Sequence, residues 1–120
     1  MPNRVLIVED DDVLRCLLTE AMTHLGYQAT GCTNADEALL KLNVDDSFDL
    51  VITDVVMPGQ CDGIDLAKAI WSRSPDLPVI IVSGNTVLPP GFLPANARFV
   101  AKPCTLGALS RTVDELLAAR

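Results

Sequence analysis

Short apolar runs rich in β-branched residues alternate along this chain with stretches of helical period. Val5 to Val8, Leu50 to Thr53, Val79 to Val82 and Arg98 to Ala101 read as strands, and Tyr27 to Cys32 is a weaker candidate. Three of the four clear runs are apolar without alternation, as strands are when helices cover both faces of a parallel sheet. Leu14, Leu17, Leu18, Ala21, Met22 and Leu25 form one helical stripe, opened by Asp11 or Asp12 and closed by Gly26. A second helix carries Ala35, Ala38, Leu39 and Leu42, with Thr33 and Asp36 spaced as a capping pair. A third follows Gly63, sets Ile64, Ala67 and Ile70 on one face and ends before Pro75. The last begins at about Thr105 and carries Leu106, Leu109, Val113, Leu116 and Leu117.

This alternation predicts one doubly wound α/β domain over residues 1–120, because right-handed crossovers place helices on both faces of the sheet. No linker, repeat or low-complexity tract divides it. One segment breaks the rhythm: Gly84 to Ala97 should hold a helix but contains Pro89, Pro90, Gly91 and Pro94. Proline inside a helix costs about 3 kcal/mol, so an irregular loop or at most one or two turns is expected there.

A length of 120 residues buries roughly two-thirds of the unfolded surface. A hydrophobic content of 49% argues against disorder. The net charge of −7 disfavours direct contact with nucleic acid or an anionic membrane surface. The apolar start is too short for a signal peptide, and no stretch approaches a membrane span, so the cytoplasm is the default compartment. Cys16, Cys32, Cys61 and Cys104 form no CxxC pair and His24 is the only histidine. A zinc cluster or redox pair is therefore unavailable, and the cysteines read as small buried hydrophobes.

In an open parallel sheet a ligand binds beyond the carboxyl ends of the strands. Here the first strand runs into Glu9, Asp10 and Asp11, the third ends in Asp54, the fourth in Ser83 and Gly84, and the fifth in Lys102 and Pro103. Carboxylates about 5 Å apart, at an effective dielectric of about 20, repel by roughly 3 kcal/mol. Three of them together shift their pKa values upward or demand a cation. Oxygen-only donors favour a hard ion, and Mg²⁺ suits a shallow site best. Asp54, beside a metal and facing Lys102, would then be placed as a carboxylate nucleophile toward a phosphoryl group. Asp11 and Asp12 are explained by helix capping alone.

With VLIVEDD at the first strand, DLVITDVVMPG at the third, DGIDLA opening the next helix, VSG at the fourth and FVAKP at the fifth, the chain resembles a receiver domain of the bacterial two-component response regulators. The resemblance runs from Arg4 to the final helix and implies a five-stranded parallel sheet of order 2-1-3-4-5. It implies that Asp54 accepts a phosphoryl group from a sensor histidine kinase or a histidine phosphotransfer protein. By the same carry-over, Asp10, Asp54 and the main-chain carbonyl of Val56 hold Mg²⁺, with Glu9 helping through a water. Lys102 pairs with the phosphoryl oxygens, Ser83 swings its hydroxyl onto them, and Phe99 is the switch aromatic. The Lys102–Pro103 peptide is expected to be cis, and Val56 and Asn85 lie where side chains gate water in this family.

Two departures stand out. Gly59, Gln60 and Cys61 make the loop after Pro58 about one residue longer than the commonest receiver pattern, and the 84–97 segment is shorter and proline-rich. The usual output surface around a fourth crossover helix is therefore not assumed, and the effector or output partner is left unnamed. The main alternative is a degenerate receiver that acts as a phosphorylation-independent interaction module. A hydrolase working through an aspartyl phosphate is disfavoured, since Val56 stands where a second acid would be needed. Flavin or dinucleotide binding is disfavoured because no GxGxxG follows a strand.

Overall fold

Each predicted apolar run becomes a strand, and the strands pair in parallel, a helix carrying the chain back across the sheet between each successive pair of the first four. The computed structural model describes residues 3–45, 47–55, 62–84, 91, 93–101 and 105–118. In chain order the elements are β1 (Arg4–Val8), α1 (Asp12–His24), β2 (Gln28–Cys32), α2 (Ala35–Val44), β3 (Leu50–Asp54), α3 (Gly63–Arg73), β4 (Val79–Ser83), β5 (Ala97–Ala101) and α4 (Leu106–Ala118). The sheet runs β2-β1-β3-β4-β5, the order that the resemblance implies.

Two apolar cores flank the sheet. Val5, Ile7, Leu50, Ile52, Ile80 and Val82 point toward Met22 of α1 and Leu109, Val113 and Leu116 of α4. Leu6, Val8, Val51, Val79 and Ile81 point toward Ala35 and Ala38 of α2 and Leu66, Ala67 and Ile70 of α3. Alternation along each strand sends successive side chains to opposite cores. Since both faces are covered, the strands need no polar positions. β2 was the weaker candidate because it lies at the sheet edge, where only Cys32 is buried.

The helix caps refine the expectations. Asp11 caps α1 by accepting from the Val13 and Leu14 N–H groups, and Gly26 follows the helix at φ +96°, a left-handed conformation suited to glycine. For α2 the cap is Asn34, which accepts from Glu37 N–H, while Glu37 in turn accepts from the Thr33 hydroxyl. Thr33 and Asp36 are thus not the capping pair; the helix starts one residue later, where the Asn34 backbone is extended. Asp62 caps α3 in a reciprocal box with Asp65. The Thr105 hydroxyl accepts from Ala108 N–H at the start of α4.

Cys32 is buried, and burial pushes its thiol up to about 12, in keeping with an inert hydrophobe. Cys16 is exposed on α1, contrary to expectation. Cys61 and Cys104 lie outside the described residues. Between β4 and β5, the described positions Gly84, Gly91 and 93–96 form bends and turns without helix. Gly91 takes φ +75°, and Leu93 packs onto the α2/α3 core. The expectation for 85–90 and Phe92 falls outside the described residues. Among the described residues no helix is long and apolar enough to cross a membrane.

Candidate functional site

Strand register decides which side chains can meet. Val8 pairs with Thr53, so Glu9 stands level with Asp54, and Asp54 pairs with Val82, one residue before Ser83. The carboxylates of Glu9, Asp10 and Asp54 converge, each offering an oxygen within 4.8 Å of the others. Glu9 is buried, Asp54 half-buried and Asp10 exposed, so the cluster opens to solvent on one side. The donor set is three carboxylates, which matches a hard divalent ion such as Mg²⁺.

Local backbone holds each acid. The Glu9 N–H donates to Cys32 O at 3.0 Å, and its carboxylate accepts from Asp11 N–H at 3.1 Å. Asp54 accepts from the Val55 N–H at 2.8 Å, and the Val55 carbonyl in turn accepts from Gly63 N–H at 2.8 Å. The first turn of α3 is therefore docked onto the chain immediately after the acid. Ser83 is buried at the end of β4, and alternation puts it on the Ile81 side of the sheet. Phe99 pairs with Ile81 and packs half-buried against the α2/α3 core. Lys102, the Val56 carbonyl, the Lys102–Pro103 peptide and Asn85 lie outside the described residues. Ala101, which immediately precedes Lys102, pairs with Ser83 at the same end of the sheet.

Beside the acids opens a cavity of about 590 Å³, walled chiefly by apolar side chains with Glu9 and Asp54 at its edge. Leu14, Leu17 and Leu106 line it and are 40%, 50% and 50% exposed. The apolar stripe of α1 is therefore only partly a core stripe: Met22 is buried, whereas Leu14, Leu17 and Leu25 face solvent. α4 starts only at Leu106, and its buried residues are Leu109, Val113 and Leu116, so among the described residues the first turns of α1 stay exposed.

Two contributors escaped the sequence reading. Arg15 donates to the Glu9 carbonyl at 3.0 Å; a lone arginine on an amphipathic helix carries no signal of that contact. Gly63 abuts the Asp54 backbone, and its signal was a glycine at the first position of a helix, where other residues form helix better.

Residues 5–114 match the model of the response regulator receiver domain. The response regulator receiver protein CpdR of Brucella abortus is 33% identical over 120 residues, covering 98% of both chains. A CheY-like response regulator receiver domain protein from Methanospirillum hungatei superposes with a TM-score of 0.90 at 26% identity, over 99% of this chain and 96% of that one. The response regulator TrrA of Thermotoga maritima, solved in complex with Mg²⁺ and BeF, gives a TM-score of 0.85 at 30% identity, over 96% of this chain and 99% of its own. With the fold, the acidic cluster and these likenesses in agreement, the chain belongs to the response regulator receiver domain family.

Proposed function

We propose that this receiver takes a phosphoryl group onto Asp54 from the phosphohistidine of a sensor histidine kinase or histidine phosphotransfer protein, in a Mg²⁺-dependent reaction in the cytoplasm. The observation that carries this reading is the convergence of Glu9, Asp10 and Asp54 within 4.8 Å at the carboxyl ends of two neighbouring strands. In the transfer, an Asp54 carboxylate oxygen forms a bond to phosphorus as the bond from phosphorus to the donor imidazole nitrogen breaks. Mg²⁺, when held by Glu9, Asp10, Asp54 and the Val56 carbonyl, supplies positive charge against the phosphoryl oxygens. The Val55 N–H holds one side of the Asp54 carboxylate and fixes its rotamer, which lowers the entropy needed to reach the reactive geometry. Lys102 and Ser83 are assigned to the phosphoryl oxygens, the first as a cation and the second as a hydroxyl donor. Once phosphorylated, the domain switches through Ser83 and Phe99.

A protein donor has to bring its histidine against Asp54, so it must rest on the surface around that residue. The exposed Leu14, Leu17 and Leu106 give this rim an apolar character that suits a protein partner. Mass spectrometry after incubation with acetyl phosphate and Mg²⁺ tests the chemistry. A phosphoryl adduct that vanishes in Asp54→Asn and with a chelator is expected. An adduct that survives Asp54→Asn would assign the acceptor elsewhere, and complete failure to form one would favour a phosphorylation-independent interaction module.

A further inference from the structure

We propose that Arg15 is a positioning residue for the cation site, holding the end of β1 so that Asp10 meets Asp54; this rests on the metal-dependent reading above. One guanidinium nitrogen of Arg15 donates to the Glu9 carbonyl at 3.0 Å, and the other donates to the Asp12 carboxylate at 2.5 Å. The Glu9 carbonyl belongs to the same rigid peptide plane as the Asp10 amide, so fixing that oxygen fixes the direction in which Asp10 leaves the strand. On the other side of residue 9, its N–H is already fixed to Cys32. Residue 9 is thus held at both ends, by β2 through its amide and by α1 through Arg15.

Space for this clamp comes from β2. A Cβ on Gly31 would lie 3.1 Å from both Cγ and Cδ of Arg15, so any larger residue there would press the arginine stem off its present path across the strand by a few tenths of an ångström. The Arg15 side chain is 21% exposed, whereas that of Asp12 is 85% exposed. The planar fork also matters: two nitrogens must reach the Glu9 carbonyl and the Asp12 carboxylate at once, which an ammonium reproduces poorly.

The direction of the effect separates positioning from charge. Removing a cation beside three carboxylates would, by electrostatics alone, tighten the binding of a divalent ion. Loss of positioning does the reverse, and partners that orient metal ligands are commonly worth about tenfold or more in affinity. Mn²⁺ affinity, measured on the unphosphorylated protein by electron paramagnetic resonance, is expected to fall about tenfold in Arg15→Ala. It should fall by less in Arg15→Lys, and in Gly31→Ala it should fall although every charge is retained. Thermal melts run in parallel establish that each variant is folded, and Gly31→Ala and Arg15→Lys carry the test if Arg15→Ala does not fold. Equal or tighter Mn²⁺ binding in the folded variants overturns the positioning role. If the unaltered protein binds no Mn²⁺, or binds it equally well as Asp10→Asn, the metal site itself falls and the role of Arg15 with it.

Discussion

Gly63 sits directly against the main chain of Asp54: a Cβ at residue 63 would lie 1.9 Å from the Asp54 carbonyl oxygen and 2.7 Å from its carbon. The contact is backbone against backbone, so no side chain can yield to relieve it. The first turn of α3, closed by the Asp62 and Asp65 box, is thereby set on the residue that carries the proposed chemistry. Gly63→Ala is expected to lower stability by about 1–3 kcal/mol in urea melts, the usual range for forced overpacking. It should also slow phosphoryl uptake, because the shift is imposed on Asp54. Asp62→Ala, which removes only the cap, should cost about 1 kcal/mol and leave the rate largely intact.

Docking and chemistry are separable. Leu14 and Leu17 are exposed, so Leu14→Asp or Leu17→Asp should leave the melting temperature nearly unchanged. Either change is expected to slow transfer from a phosphorylated donor protein by about tenfold, the scale of a moderate interface contact. Uptake from acetyl phosphate, which needs no protein surface, should be unaffected. Equal slowing with both donors would place these leucines in the fold or the chemistry instead of the docking surface.

Removal of one carboxylate should act on the cation before it acts on the fold. Asp10 is exposed and makes no contribution to either core. Asp10→Asn is therefore expected to raise the Mg²⁺ concentration for half-maximal phosphorylation on the order of tenfold or more, with cooperative unfolding retained. Titrating Mg²⁺ into the acetyl phosphate reaction measures this directly. An unchanged half-saturation point would remove Asp10 from the ligand set.

Tyr27, the single tyrosine of the chain, ties the end of α1 to α4 by donating its hydroxyl to Asp114. Burial, aided by the Asp114 carboxylate, pushes its phenol up from 10.0 to about 12. The unfolded chain ionises first, near pH 10, so this contribution to stability is complete below that pH and is lost as pH rises toward about 12. Ultraviolet titration should show one late phenolate transition in the folded protein, and Tyr27→Phe should abolish that part of the pH dependence. A normal titration near pH 10 would mean that Tyr27 is open to solvent.

The sequence placed every strand within one residue of its ends, most plainly β1, β3 and β4, because apolar runs buried on both faces need no partner to declare themselves. Val5–Val8 and Val79–Val82 were legible for that reason, and so were the acids that end the first and third strands. The helix starts were less so: Thr33 and Asn34 are both good caps, and only the backbone path from β2 chose Asn34.

By itself, then, the sequence determined the class of fold, the order of elements and the residue types offered at each strand end, since these follow from local periodicity and chemistry. Tertiary structure alone decided which of those residues meet. The level alignment of Glu9 with Asp54 comes from strand register, a property of pairing between distant segments. The exposure of Leu14 and Leu17 and the contact of Arg15 with the Glu9 carbonyl, its stem crossing Gly31 in another strand, are likewise set by packing between distant segments. A helical period says that one face is apolar; only the packing of a neighbour says whether that face is covered.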